Sequence, residues 1–203
     1  MEYRAVGCRC AVDIDSLRLP IPREEILSIL VTKNFKVLEI DIVALARSYV
    51  GVSEYRRGAR LAEAPAIFDC SSLIKWLYGQ CGIWLPRRSI QQRELGESVG
   101  FSKISSGDVV FVSGRIDYYF DDPTHGVGHV GIATENNTVI HAGNRKIGVG
   151  ETPLDKFVCK NKFRGARRYI PKDRKITILE TPVGREVEIA DDIRWIVLQS
   201  LPK

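Results

Sequence analysis

The order of two hydrophobic patterns along the chain constrains the fold more than any other feature. Apolar residues recur at helical spacing before residue 95, whereas short apolar runs typical of strands follow residue 107. A parallel sheet would require strands that alternate with helices, and that alternation is missing. The sequence therefore predicts an α+β fold in which N-terminal helices pack on a central antiparallel β-sheet.

The same patterns predict individual elements. We expect helices at residues 24–30, 41–51, 70–78 and 89–95. We expect strands at residues 109–112, 130–134, 138–142, 165–170, 175–180 and 187–198. Asn136 and Asn137 lie between two of these strands and are typical of a hairpin turn.

The composition excludes several classes of protein. Hydrophobic residues make up 44% and charged residues 27% of the 203 residues, as in an ordinary globular domain. No apolar stretch approaches the length of a membrane-spanning helix, so no membrane partner is expected. The net charge of +5 favours anionic partners. No nucleic-acid-binding motif organises the arginines, so nucleic acid is not an expected partner.

The start of the chain bears on its location in the cell. Residues Met1–Gly7 contain no apolar segment of a signal peptide. We therefore expect a cytoplasmic protein from the sequence as it stands, or a secreted or periplasmic one if a signal was removed. The sequence does not specify the oligomeric state.

Cysteine usage argues against a metal site. The five cysteines are at positions 8, 10, 70, 81 and 159, and an odd number cannot all form disulfides within one chain. Cys8 and Cys10 form one close pair, but a zinc site would need a second such pair. We therefore expect no metal and no cofactor.

Cys70 is the strongest candidate for a reactive side chain. It lies at the predicted start of a helix, where unsatisfied N–H groups and the helix dipole favour an anion. Such a position lowers the pKa of a thiol and makes it a nucleophile at neutral pH. We therefore expect Cys70 to be the only thiol of the five with a low pKa. The alternative is a buried structural cysteine, which is a common role of a free cysteine.

Two of the three histidines lie on neighbouring predicted strands. His129 opens the first strand and His141 lies on the second, whereas His125 lies in a long loop and is expected at the surface. A two-residue turn between the strands would place His141 on the face opposite His129. A three-residue loop would restore the face but pair His141 with Ala133, four residues along from His129. We therefore expect a bulge or a strong local twist if the two imidazoles are to meet.

Several motifs in a fixed order resemble the NlpC family of papain-like cysteine peptidases. The main ones are Asp69-Cys70-Ser71, Gly107-Asp108-Val109-Val110-Phe111, Gly128-His129-Val130-Gly131-Ile132 and Ile140-His141-Ala142. Further matches are Gly51-x-x-x-Tyr55-x-x-Gly58, Leu85-Pro86-Arg87, Gln91-Gln92 and the closing segment 163–168. In two places the chain departs from the family: Ser72 replaces the usual glycine, and the loop from Gly114 to Gly128 is longer than usual.

The resemblance implies a domain organisation and a catalytic triad. It covers about residues 39–171, the peptidase domain, between an N-terminal helical extension (1–38) and a C-terminal β extension (172–203). Cys70 would be the nucleophile and His129 the general base. His141 would orient His129, and the backbone N–H of Cys70 would contribute to the oxyanion hole. The residues implied to bind the substrate are Tyr55, Asp69 and Ser71.

The resemblance also implies the reaction and the partners. It would be hydrolysis of amide bonds in peptidoglycan stem peptides through a thioester, at the bond between D-glutamate and the diamino acid. Peptidoglycan peptides or muropeptides are the expected partners. Family members that recycle soluble wall peptides recognise the free amine of the terminal L-alanine, and Tyr55, Asp69 and Ser71 offer acceptors for it.

Alternatives remain open at this stage. The arginines of residues 56–60 could instead bind an acidic group of the substrate. A thioester can also pass its acyl group to an amine, so a papain-like acyltransferase or deamidase acting on a protein or lipid amide is the alternative function. A catalytically silent binding module is disfavoured, because the cysteine and both strand histidines are present.

Overall fold

The computed structural model describes residues 2–159 and 161–202. The strands are β1 (Arg9–Asp13), β2 (Lys36–Leu38), β3 (Glu54–Tyr55), β4 (Ile67–Phe68), β5 (Glu97–Val99), β6 (Val109–Val112), β7 (His129–Ala133), β8 (Thr138–Asn144), β9 (Gly148–Pro153), β10 (Phe163–Arg168) and β11 (Ile176–Glu180). The α-helices are α1 (Arg23–Thr32), α2 (Ile42–Arg47), α3 (Cys70–Gln80), α4 (Ser89–Arg93), α5 (Leu154–Phe157) and α6 (Ala190–Leu198). No helix within the described ranges is long and apolar enough to cross a membrane.

The chain divides into two compact units. The first comprises Asp41–Leu77 and Leu85–Ile170. The second comprises Glu2–Ile40, Tyr78–Trp84 and the chain from Pro171 onwards. We call these the first unit and the second unit.

The first unit is built on a six-stranded sheet. Its strand order is β5-β10-β6-β7-β8-β9, and every neighbouring pair is antiparallel. All four residues of β6 are buried, which accounts for the continuous apolar run at Val109–Val112. The predicted α+β fold with a central antiparallel sheet is therefore confirmed.

The pairing of β7 with β8 differs from both registers considered above. Ala133 pairs with Val139, and not with His141. Continued along the strands, this register places His141 opposite Gly131, two residues from His129 and on the same face. The predicted offset of four residues is wrong, and no bulge is needed to bring the two imidazoles together.

Gly131 permits the close approach of these two strands. A Cβ atom at Gly131 would lie 2.4 Å from Val139 Cγ1 and 2.8 Å from the carbonyl oxygen of Ile140. Both distances are shorter than van der Waals contact, so any side chain would push β8 away from β7. Because β8 carries His141, the glycine helps to fix the distance between the two histidines.

The second unit contains a three-stranded antiparallel sheet with the order β1-β11-β2. Its core is formed by buried residues of the sheet and of helices α1 and α6; these include Val12, Ile26, Leu30, Leu179, Ile193 and Val197. The helix predicted at residues 24–30 is confirmed by α1.

The strand predicted at residues 187–198 is wrong, because residues 190–198 form helix α6. The buried residues Ile193, Ile196 and Val197 recur at helical spacing, and the Asp192 carboxylate accepts hydrogen bonds from N–H groups just before the helix. The C-terminal extension therefore contains a strand and a helix, and residues 1–38 contain two strands besides α1. The expected β extension at residues 172–203 and the expected helical extension at residues 1–38 are therefore both mixed in secondary structure.

Candidate active site

Cys70 is the first residue of α3, and Asp69 caps this helix. The Asp69 carboxylate accepts a hydrogen bond from the N–H of Ser72 at 2.8 Å, and the Asp69 carbonyl accepts from the N–H of Leu73 at 3.0 Å. The Ser72 hydroxyl in turn accepts from the N–H of Asp69 at 2.8 Å, so Ser72 closes the turn reciprocally. The N–H of Cys70 is one of the first-turn donors for which a helix offers no internal acceptor. It is thus available to an oxyanion that develops beside Sγ.

The acceptor positions of the buried Asp69 carboxylate are fully used by donors of the chain itself. Its Oδ1 accepts from the N–H of Ser72, from the Ser71 hydroxyl at 3.3 Å and from Arg87 Nη1 at 3.0 Å. Its Oδ2 accepts from the N–H of Gly58 at 3.0 Å and from Arg87 Nη2. A carboxylate offers about four acceptor positions. These five donors leave no position for a substrate ammonium unless Arg87 is displaced.

Asp69 and Ser71 therefore hold the turn around Cys70 in this structure. Arg87 also donates to Ser71 Oγ at 2.8 Å, which ties all three side chains together. Binding of a substrate ammonium by Asp69 stays a prediction that the contacts around its carboxylate do not favour.

Tyr55 lies on β3, beside the strand that leads to Cys70. It pairs with Phe68 in the parallel β3–β4 ladder, directly before Asp69 and Cys70. The Tyr55 phenol is half-buried, and burial together with the nearby Cys70 and Asp69 raises its pKa. The structure thus brings all three predicted substrate-binding residues to the start of α3.

The two predicted catalytic histidines are in direct contact. His129 Nε2 lies 2.9 Å from His141 Nδ1, and the ring planes are perpendicular, at 90°. The other ring nitrogen of His129, Nδ1, remains available to the nucleophile. Cys70 lies close to Val130, the residue after His129, because the backbone N–H of Val130 lowers the pKa of the Cys70 thiol. The structure therefore brings Cys70, His129 and His141 together, while His125 is exposed in the loop as predicted.

Thr152 of β9 contacts the second ring nitrogen of His141. Its hydroxyl lies 2.9 Å from His141 Nε2. A neutral imidazole has one N–H donor and one acceptor. When His141 Nε2–H donates to Thr152, His141 Nδ1 is left to accept from His129 Nε2–H. That tautomer leaves His129 Nδ1 as the basic nitrogen that can take the Cys70 proton.

Phe157 of α5 covers both imidazole rings. Its ring centroid lies 5.5 Å from that of His129 and 5.0 Å from that of His141. Burial lowers the pKa of His129 to about 3 and that of His141 to about 4. For His129, the nearby charges of His141 and Lys162 add to the effect. Both imidazoles are therefore neutral near pH 7, and His129 can accept a proton.

The thiol of Cys70 differs from the expectation of a low pKa. Burial, with a smaller contribution from Asp69, raises the pKa of Cys70 to about 11, although backbone N–H groups of Ser71 and Val130 lower it. The predicted resting thiolate is therefore wrong, because desolvation outweighs the helix-start donors. We infer that the resting pair is a thiol and a neutral imidazole, and that the proton moves from Sγ to His129 during attack.

The lowered pKa of His129 predicts the pH dependence of catalysis. The base must be neutral, and a pKa lowered from 6.5 to about 3 keeps it neutral well into the acid range. We therefore expect kcat/KM to fall on the acid side well below pH 6.5. Rates measured between about pH 4 and pH 8 test this. An acid limb centred near pH 6.5 would contradict the desolvated site.

Thr152→Val should reduce turnover without weakening substrate binding. Valine keeps the shape of threonine but removes the hydroxyl that fixes the His141 tautomer. Loss of one hydrogen bond of this kind costs about 0.5–1.5 kcal/mol, so we expect kcat to fall roughly two- to tenfold at unchanged KM. Thr152→Ser keeps the hydroxyl and is the matched control. Wild-type kcat in the valine variant would exclude a role for this contact.

Sequence reasoning missed Thr152 and Phe157. Thr152 lies in β9, which pairs with β8 but was not among the predicted strands. A weak signal for a third strand beside His141 is present in the sequence. It consists of the apolar residues Ile147 and Val149 and of Pro153, which is typical of the end of a strand. Phe157 follows in a four-residue helix, which is too short for a periodic pattern.

The sequence around this site is similar to that of known proteins. The sequence model of the NlpC/P60 family matches residues 51–168, a range that includes Cys70, His129 and His141. A probable endopeptidase of Corynebacterium glutamicum is 39% identical over 115 residues, which are 56% of this chain and 47% of that protein. A gamma-DL-glutamyl hydrolase of Bacillus subtilis is 33% identical over 143 residues, which are 68% of this chain and 32% of that protein.

A solved structure shares the fold. The crystal structure of the NlpC/p60 domain of the peptidoglycan hydrolase SagA superposes with a TM-score of 0.50 at 26% sequence identity. The match covers 63% of this chain and 95% of that domain. By contrast, the chain spans about half the length of the Corynebacterium relative and about a third of the Bacillus relative.

Proposed function

Because the chain belongs to the NlpC/P60 family, we propose that it is a cysteine peptidase that hydrolyses amide bonds of peptidoglycan stem peptides. The bond cleaved is the one between the γ-carboxyl group of D-glutamate and the diamino acid. The observation that carries the proposal is the 2.9 Å contact between His129 Nε2 and His141 Nδ1, with the Cys70 thiol close to Val130, the residue after His129. The names of the Bacillus glutamyl hydrolase and of the peptidoglycan hydrolase domain support this substrate class.

The first half of the reaction forms a thioester. Cys70 Sγ attacks the carbonyl carbon of the scissile amide while His129 Nδ1 takes the thiol proton. The carbonyl oxygen becomes an oxyanion, and the N–H of Cys70 donates to it. His129 then gives its proton to the amide nitrogen, the carbon–nitrogen bond breaks and the diamino-acid product leaves with a free amine.

The second half returns the enzyme to its resting state. A water molecule attacks the thioester carbon, and His129 takes one of its protons. The carbon–sulfur bond breaks, the glutamyl carboxylate is released and the proton returns to Sγ. His141 accepts from His129 Nε2–H throughout, which stabilises the transient imidazolium.

Digestion of purified wall peptides tests the proposal. We expect mass analysis to show fragments that end in D-glutamate and fragments that begin with the diamino acid. The Cys70→Ala protein should leave the peptides intact. Fragments from a different bond would overturn the assigned specificity, and wild-type protein that releases no fragment would overturn the proposed activity.

A further inference from the structure

Two arginines of the first unit converge on one tyrosine. Arg57 Nη2 lies 3.3 Å from the Tyr118 hydroxyl, and the Arg88 guanidinium lies over the Tyr118 ring, 5.6 Å from its centroid. Two guanidinium groups that contact the same side chain repel each other, and an anion bound between them relieves that repulsion. We call these three residues the Arg57–Tyr118–Arg88 cluster.

The arginines next to the cluster in sequence, unlike those of the cluster, form ion pairs with carboxylates. Arg56 forms an ion pair with Glu63, and Arg87 forms one with Asp69. Within residues 2–159 and 161–202, no carboxylate lies at ion-pair distance from Arg57 or Arg88. The charges of Asp69 and Arg87 compensate each other, so the cluster leaves the surroundings of Tyr55 and Cys70 with an excess of positive charge.

The loop that carries Tyr118 is held in place. Backbone hydrogen bonds of 3.1 and 2.9 Å join Tyr118 to Val127 across the loop. The Asp117 carboxylate accepts from the Ser113 hydroxyl at 2.6 Å and from the N–H of Gly114 at 2.7 Å. The long loop noted in the sequence thus presents Tyr118 from a defined backbone position.

Two members of the cluster neighbour residues that surround the nucleophile. Tyr55 lies near enough to both Cys70 and Arg57 for each to shift its pKa, Cys70 upward and Arg57 downward. Arg88 directly follows Arg87, whose guanidinium binds Asp69 beside Cys70. A peptide with its scissile bond at Cys70 therefore has the cluster within reach of its neighbouring groups.

We propose that the Arg57–Tyr118–Arg88 cluster binds a free carboxylate of the substrate peptide close to the scissile bond. This inference rests on the proposed function and gives its substrate class: peptides that are acidic beside the cleaved amide. Two carboxylates of a stem peptide have this chemistry, the α-carboxylate of D-glutamate and a carboxylate of the diamino acid. Recognition of a free N-terminal amine is not required, since Asp69 is already occupied by Arg87.

Three synthetic peptides of the type L-Ala-γ-D-Glu-diamino acid distinguish the two carboxylates. One carries both as free acids, one has the D-glutamate α-carboxylate amidated and one has the diamino-acid carboxylate amidated. We expect wild-type kcat/KM to be at least about tenfold lower for one of the amidated peptides. The peptide that loses rate identifies the carboxylate that is bound.

Variants connect this preference to the cluster. We expect Arg57→Gln and Arg88→Gln each to reduce the preference for the acid, and the double variant to abolish it. Arg56→Gln removes the same charge from the same stretch, but its arginine is paired with Glu63, so it should keep the preference. Loss of the preference in Arg56→Gln as well would point to overall charge and overturn the cluster as the site.

Two readouts separate this inference from the proposed function. Equal wild-type rates on all three peptides would overturn the carboxylate site and leave the peptidase activity established. Calorimetric binding to the Cys70→Ala protein needs no turnover, and we expect it to show the same preference for the free acid. Absence of cleavage combined with preferential binding of the acid would overturn the proposed activity but support the cluster. Equal binding of all three peptides would overturn the cluster.

Discussion

Cys70→Ala and His129→Ala should each remove essentially all turnover, with losses of at least about 10⁴-fold in kcat. The two residues act as one unit, because the thiol is not ionised at rest and needs His129 to take its proton. The double variant should therefore be no worse than either single variant. Steady-state rates on a γ-D-glutamyl peptide give the comparison, and circular dichroism checks that each protein is folded.

Matched controls use side chains outside the site. His125→Ala removes an exposed loop imidazole, and Cys8→Ala removes an exposed cysteine of the second unit. Both should keep wild-type rates. Substantial turnover in His129→Ala, with activity lost in His125→Ala, would reassign the base.

Arg87→Met should destabilise the protein and lower its activity together. It leaves the buried Asp69 carboxylate without its counter-charge and loosens the turn that carries Cys70. Breaking a fully buried ion pair costs about 3–5 kcal/mol, but the Arg87 side chain is 39% exposed, so we expect a smaller loss of about 2–3 kcal/mol. Denaturant unfolding measures this loss.

A double-mutant cycle measures the interaction energy between Asp69 and Arg87. In Asp69→Asn/Arg87→Met the orphaned charge is absent, so the combined loss should be smaller than the sum of the single losses by about 1 kcal/mol or more. Arg56→Met breaks the more exposed pair with Glu63 and should cost much less than Arg87→Met. Strict additivity at Asp69 and Arg87 would show that the carboxylate does not depend on this arginine.

The sequence predicted the fold class and the family because their signals are local. Helix periodicity around Leu73, Ile74 and Leu77 and the apolar run of β6 are readable without tertiary information. The order of the motifs around Cys70, His129 and His141 carried the resemblance to the NlpC family, which the family match confirms. The catalytic roles of the three residues stay predictions, which the variants above are designed to test.

Tertiary contacts account for what could not be predicted. The close approach of β7 and β8 depends on Gly131, whose importance becomes visible only when the two strands are paired. The pKa of Cys70 depends on burial by the whole first unit, and no local pattern reports it. In α6, the β-branched Ile193, Ile196 and Val197 favour a strand by propensity, but packing in the second unit selects a helix.

Hydrolysis in ¹⁸O-labelled water tests the central claim most directly. The purified protein is incubated with an L-Ala-γ-D-Glu-diamino-acid peptide, and both products are analysed by mass spectrometry. We predict one heavy oxygen in the product that ends in D-glutamate, none in the diamino-acid product, and no products with Cys70→Ala. Transfer of the glutamyl group to an amine without incorporation of the label, or labelled products from the Cys70→Ala protein, would contradict a hydrolase that works through a Cys70 thioester.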